Sequence, residues 1–192
     1  FSAVHRSFMC LGQRLTNRSR RPKLSEEKSR RARRRKEGAT MQNQIDMKGF
    51  IQIALVVNDI EKAAKKWAEL FGVPVPPIRD DKPRHDPNLT YRGEEAYYGL
   101  KFAVIDCRER GFVIELHEPD EHPSTFREFL DKHGNGVHHL GFQVGDKRDA
   151  IVGELSDMGY DLRTVGYYPG SSWTIVDTED DLGVNLNIKP KA

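Results

Sequence analysis

The stretch FIQIALVV (50–57) is an unbroken apolar run rich in β-branched residues, and it reads as a strand. DIEKAAKKWAELFG (59–72) follows, with Ile60, Ala63, Ala64, Trp67, Leu70 and Phe71 at helical spacing and a glycine at the C-cap position. Residues 73–92 are rich in proline and charge and read as a loop, with a short strand near LTYRG. YYGLKFAVID and GFVIELHEP supply two more strands. The order then recurs: strand VHHLGFQV, helix KRDAIVGELSDMG, then strands YDLRTVGYY, SSWTIVDT and VNLNI.

This recurrence has a measurable offset. A shift of 87 residues places Gln52 on His139, Val57 on Val144, Asp59 on Asp146, Ala63 on Ala150 and Gly72 on Gly159. Near the module ends a shift of 72 places Gly111 on Gly183, Ile114 on Leu186 and Glu115 on Asn187. The chain is therefore expected to be an α+β domain over about 46–190, built from two βαβββ modules at 48–119 and 136–190. Their strands form one curved mixed sheet, with helices 60–71 and 147–158 outside.

Strand alternation selects the candidate chemistry. Ile51, Ile53, Leu55 and Val57 form an apolar face, and Gln52, Ala54 and Val56 form a smaller, partly polar one. On the second module's first strand His139, Gly141 and Gln143 match the polar set, whereas His138 shares the parity of Leu140, Phe142 and Val144 and reads as a strand-end side chain. Glu115 and Asn187 hold the same place on the closing strands. Taken singly, each is what the wet face of any soluble sheet carries. Their symmetric placement makes Gln52, Glu115, His139 and Asn187 a candidate divalent-metal site.

Composition adds limits. Residues 1–40 carry 13 Lys/Arg against 3 acids, and the remaining 152 residues are net acidic, with 18 basic and 26 acidic side chains. An acidic body excludes a nucleic-acid function for it, because such binding rests on clustered cations. The basic stretch cannot bury a core and is expected to be a disordered extension. Its first reading is an upstream addition before Met41, which opens a segment like an ordinary start; an organelle transit peptide comes second and a nucleic-acid tail third. The two cysteines, Cys10 and Cys107, suggest no disulfide framework, and no apolar run approaches the roughly 20 residues that cross a bilayer. The expected compartment is the cytoplasm, or an organelle matrix if 1–40 is a transit peptide.

IQIALVVNDIEKAAKKWAELFG, FREFLDKHGNGVHHLGFQVGD and IVDTEDDLGVNLNI together resemble the vicinal oxygen chelate superfamily, which includes glyoxalase I, methylmalonyl-CoA epimerase, ring-cleaving dioxygenases and bleomycin-resistance proteins. The resemblance covers roughly 48–189 and is nearest to the epimerases. It implies a divalent metal (Zn, Ni, Co, Mn or Mg) held by Gln52, Glu115, His139 and Asn187, a small-molecule substrate and a fold that admits a homodimer. It also implies enolate-forming proton transfer, with Glu115 as the catalytic base and Lys101 as a substrate-binding residue of the cup. Asn187 departs from the family, which normally has a metal-binding glutamate there. That substitution keeps a second reading open, a small-molecule binding protein without turnover.

Overall fold

The structure is a computed structural model that describes residues 40–168 and 171–190. The expected basic extension over 1–40 lies outside the described residues but for its last position. The chain is already packed at Met41, which lies with Ile45 against the core beneath the third helix, while Gln42 and Asn43 donate to Glu154.

The strands are β1 (Phe50–Val56), β2 (Arg79–Asp81), β3 (Thr90–Tyr91), β4 (Glu94–Glu95), β5 (Leu100–Cys107), β6 (Phe112–Pro119), β7 (Gly136–Gln143), β8 (Leu162–Tyr168), β9 (Ser171–Val176) and β10 (Asn185–Lys189). The α-helices among the described residues are α1 (Ile60–Phe71), α2 (Thr125–His133), α3 (Arg148–Asp157) and a short α4 (Glu179–Leu182). One curled mixed sheet runs β2-β5-β6-β1-β7-β10-β9-β8-β3-β4. Its halves, β1-β6-β5-β2 and β7-β10-β9-β8, have the same internal order. In each, the first strand pairs parallel with the last, and the halves join through the antiparallel pair β1–β7. The duplicated βαβββ architecture expected from the 87-residue offset is therefore present.

Local chemistry explains the helices. The Asp59 carboxylate accepts from Lys62 N at the start of α1, and Gly72 ends it with φ +65°, a conformation that favours glycine. α1 buries Ile60 and Ala64 against Ala103, Ile105 and Leu116. α3 sets Ile151 and Leu155 against Phe142, Val176 and Ile188. Burying each such Ile or Leu contributes about 1.5–3 kcal/mol, so these two cores hold the outer face of the sheet. The sequence reading assigned no helix to FREFLDKH. Ser124 caps this segment by accepting from Arg127 N, and Phe126, Phe129 and Leu130 then form one apolar face that packs on Val56, Leu89, Ala96 and Tyr98. α2 thus closes one end of the curl.

A charge network ties the same end together. The β3–β4 hairpin comes from the first module but pairs with β8 of the second. Arg92 and the Tyr91 hydroxyl both donate to Glu128 on α2. Arg163, only 5% exposed, pairs with Asp177 and Glu179, and Glu179 also takes Lys132 and His133. Burial pushes the Glu179 carboxyl up, but its bonds to Lys132 and His133 and the Arg163 charge outweigh that and bring it down to about 2. A carboxyl lowered on folding contributes stability that is complete above its unfolded value near 4.5 and is lost as pH falls towards about 2. Glu179→Gln is accordingly expected to lower the melting temperature at pH 7, and the gap between variant and wild type should shrink in melts taken from pH 4.5 down to 2.5. A gap that stays constant across that window would refute the role given to Glu179.

Candidate active site

Register brings the polar residues together. Gln52 on β1 lies beside Gly141 on β7, which lies beside Asn187 on β10. In the next row Glu115 on β6 flanks Ala54, which flanks His139. Side-by-side residues on neighbouring strands project from the same face, so two small residues, Ala54 and Gly141, leave the space into which four polar side chains lean. Gln52 Nε2 donates to Glu115 Oε2 at 2.6 Å and lies 2.8 Å from His139 Nε2, while Asn187 Nδ2 is 3.4 Å from the same ring nitrogen. The four residues singled out in the sequence thus form one cluster.

Two further members share its strands. His117, two positions after Glu115, lies with Nε2 3.1 Å from Glu115 Oε2, and Lys189, two after Asn187, donates to Gln52 Oε1 at 3.1 Å. The alternation that picked out Glu115 and Asn187 reaches both with one more step. The cluster is closed: Gln52, His139 and Asn187 are 1–2% exposed, whereas the Glu115 side chain keeps 14%. Burial pushes the Glu115 carboxyl up, but the hydrogen bond and charge of His117, the Lys189 ammonium and the Gln52 amide hold it below the usual carboxylate range. Burial also holds His139 well below the ordinary imidazole value, aided by the neighbouring His138, His117 and Lys189.

Other expectations are corrected. Lys101 does not reach the cup. On β5 the residues beside Glu115 and His117 are Val104 and Phe102, so the inward parity belongs to them. Lys101 projects with Ala103 and Ile105 to the outer face and pairs with Glu118 at 2.8 Å, whose other oxygen accepts from Ile60 N at the start of α1. Glu94 and Glu95, the acids of the short β4 strand, lie exposed at the far edge of the sheet. His138 is not a strand-end side chain. Ala54 pairs with His139 but Leu55 with Val137, so His138 is the extra residue of a β-bulge. Alternation fails there, and His138 is fully buried beside His139.

The donor types, a carboxylate, an imidazole and amide oxygens, suit a divalent ion. Orientation sets the terms. The Asn187 oxygen accepts from Thr174 N at 3.1 Å, which turns its NH2 inward as a hydrogen-bond donor. Gln52 offers its oxygen only after an amide rotation that gives up Lys189. The set fits a metal as three ligands, Gln52, Glu115 and His139, with Asn187 as a donor towards whatever sits beside them. Elsewhere among the described residues Asp120, Glu121 and His122 bring ligand atoms within 4.8 Å of one another. There Asp120 Oδ2 already accepts from Gly99 N and pairs with His122 Nδ1.

Two βαβββ halves that share one curled sheet and converge polar side chains from the first and last strand of each define a glyoxalase-type fold. The chain belongs to the Glyoxalase/Bleomycin resistance protein/Dioxygenase superfamily, whose family model matches residues 51–176. No curated protein matches the chain. Among solved structures it is similar to methylmalonyl-CoA epimerase from Mycobacterium tuberculosis, at 20% identity and a TM-score of 0.53, over 81% of this chain and 94% of that one. It is also similar to a variant of Streptomyces coelicolor methylmalonyl-CoA epimerase in complex with 2-nitronate-propionyl-CoA, at 20% identity and a TM-score of 0.51, over 78% and 96%. At these identities the likeness establishes the fold.

Two substitutions test the geometry. A Cβ at Gly141 would stand 2.7 Å from Gln52 Cβ and 2.8 Å from its Oε1, so Gly141→Ala must displace Gln52. Denaturant unfolding should show a loss of about 1–3 kcal/mol, the usual cost of overpacking; a neutral result would mean that the close approach is wrong. Lys189→Met removes a positive charge beside the cluster and frees the Gln52 oxygen, so Zn2+ binding followed by calorimetry should tighten about tenfold or more. Unchanged or weaker binding would count against the Gln52–Lys189 latch.

Proposed function

We propose that the protein is a metal-dependent isomerase or lyase that moves a proton at the carbon next to a carbonyl, in a small α-carbonyl compound or an acyl-CoA thioester. In chemistry it stands nearest to methylmalonyl-CoA epimerase and glyoxalase I. The observation that carries the reading is Glu115: it is the sole carboxylate of the cluster, it is held ionised, and it retains access to solvent where Gln52, His139 and Asn187 do not. An ionised carboxylate within reach of substrate can take the proton. Both of its hydrogen bonds end on Oε2, which leaves Oε1 for that transfer. A divalent ion on Gln52, Glu115 and His139 would supply Lewis-acid stabilisation of the developing enolate oxygen. The Asn187 NH2, fixed by Thr174, offers a hydrogen bond to an oxygen of the substrate. The functional unit is the domain of residues 46–190.

A second reading, a pocket that binds a small molecule without turnover, is favoured by Asn187 itself. An amide cannot serve as a base, and its oxygen is committed to Thr174. One experiment separates the two. Zn- or Co-loaded protein is incubated in D2O with methylmalonyl-CoA, and separately with the hemithioacetal of methylglyoxal, and deuterium at the carbon beside the carbonyl is followed by NMR or mass spectrometry. Exchange that falls by about 100-fold or more in Glu115→Gln is the expected result. No exchange with either compound, alongside saturable binding, establishes the second reading.

A further inference from the structure

The bulge at His138 puts two imidazoles on one face, with Nδ1 facing Nδ1 at 2.8 Å. Such a pair shares one proton, so one ring donates and the other accepts. Behind His138, its Nε2 lies 3.0 Å from the Thr125 hydroxyl at the first turn of α2. Phe126 and Phe129 pack their rings 4.8 and 5.2 Å from His138, and the residue is 0% exposed. Water therefore does not compete for either nitrogen, and His138 is the hydrogen-bond partner of His139 Nδ1.

The direction of the chain follows from the far side of His139. Thr174 N–H is a backbone donor, so the Asn187 atom that meets it is the oxygen and the NH2 faces His139 Nε2. The Lys189 ammonium can only donate, so the Gln52 atom it meets is likewise the oxygen, and its NH2 faces His139 Nε2 at 2.8 Å. Two amide donors converge on one ring nitrogen, which must accept. If Gln52 turns to give its oxygen to a metal, Nε2 becomes a ligand through the same lone pair. In both cases His139 carries its proton on Nδ1 and donates from it to His138 Nδ1, and His138 carries its proton on Nε2 and donates from it to Thr125 Oγ1.

We propose that His138, backed by Thr125, is a positioning residue that holds His139 in its Nδ1–H tautomer with the Nε2 lone pair aimed at Gln52, Glu115 and Asn187. Outer partners of metal-binding imidazoles are usually carboxylates, backbone carbonyls or water. Here the partner is a neutral ring, which orients His139 without adding negative charge to it. This inference deepens the proposed function, because it concerns the same ligand, but the tautomer can be read without metal or substrate.

The test uses the full-length chain. Long-range 1H–15N NMR of the metal-free protein reads the protonation of each ring nitrogen. The expected spectrum has His139 protonated on Nδ1 and His138 on Nε2, and wild-type His139 protonated on Nε2 overturns the proposal outright. In His138→Phe the two amides still face Nε2 but nothing accepts from Nδ1–H, so the His139 Nδ1 resonance should shift and Zn2+ affinity by calorimetry should fall about 10- to 100-fold. In His138→Asn the side-chain carbonyl can again accept from Nδ1–H, so both readouts should recover towards wild type. Unchanged Zn2+ affinity and an unshifted His139 Nδ1 in His138→Phe also overturn the proposal. If His138→Phe does not fold, Thr125→Val removes only the terminal acceptor, and the His138 ring nitrogens should shift; identical His138 shifts would overturn the relay. Should deuterium exchange fail with every substrate while the tautomers come out as expected, the proposed function falls and the positioning role stands.

Discussion

The antiparallel join between β1 and β7 is the constraint on which the rest depends. Each half alone carries one first-strand residue and one last-strand residue. The join places Gln52 one row from His139, and the parallel partners β6 and β10 then bring Glu115 and Asn187 to the same spot. Side chains far apart in the chain are thus held by ladder hydrogen bonds rather than by loops, which is how a sheet fixes a site to within small displacements. The same join creates a liability, since it buries polar groups that must be satisfied. The amide, imidazole and carboxylate groups answer it by bonding one another, except for His117 Nδ1, which is buried with no partner.

That mutual satisfaction gives the cluster its electrical character. Glu115 carries the one formal negative charge, Lys189 stands beside Gln52, and burial holds His138 down to about 3, so both rings of the histidine pair stay neutral. A fixed set of donors and acceptors at low net charge costs less to bury than isolated ions would. It also means that any incoming cation competes with bonds already made, above all the one between Lys189 and Gln52.

Much of this was legible in the sequence. The 87-residue offset carried the duplicated fold, and period-two alternation picked out Gln52, Glu115, His139 and Asn187 because each keeps parity with the inward residue next to it along its strand. His117 and Lys189 were within reach of the same rule. Where the rule failed, a local feature broke the period. One extra residue in β7 turned His138 inward, and on β5 the reading started one position out of step, which sent Lys101 to the wrong face. Strand pairing decides parity in both places, and pairing is a tertiary property. α2 escaped notice because its apolar positions are few, and only Ser124 marks its start.

The two ends of the sheet carry a consequence for how copies of the chain can meet. An open sheet offers unpaired backbone groups along its outermost strands, and such edges invite a neighbour to continue the ladder. Here one outermost strand is Arg79–Asp81 and the other is Glu94–Glu95, each two or three residues long, exposed and charged throughout. Like charges would face each other if two Glu94–Glu95 edges approached, and neither strand is long enough to template a stable partner. Neither outermost strand among the described residues thus offers a long apolar edge on which a second copy could extend the sheet.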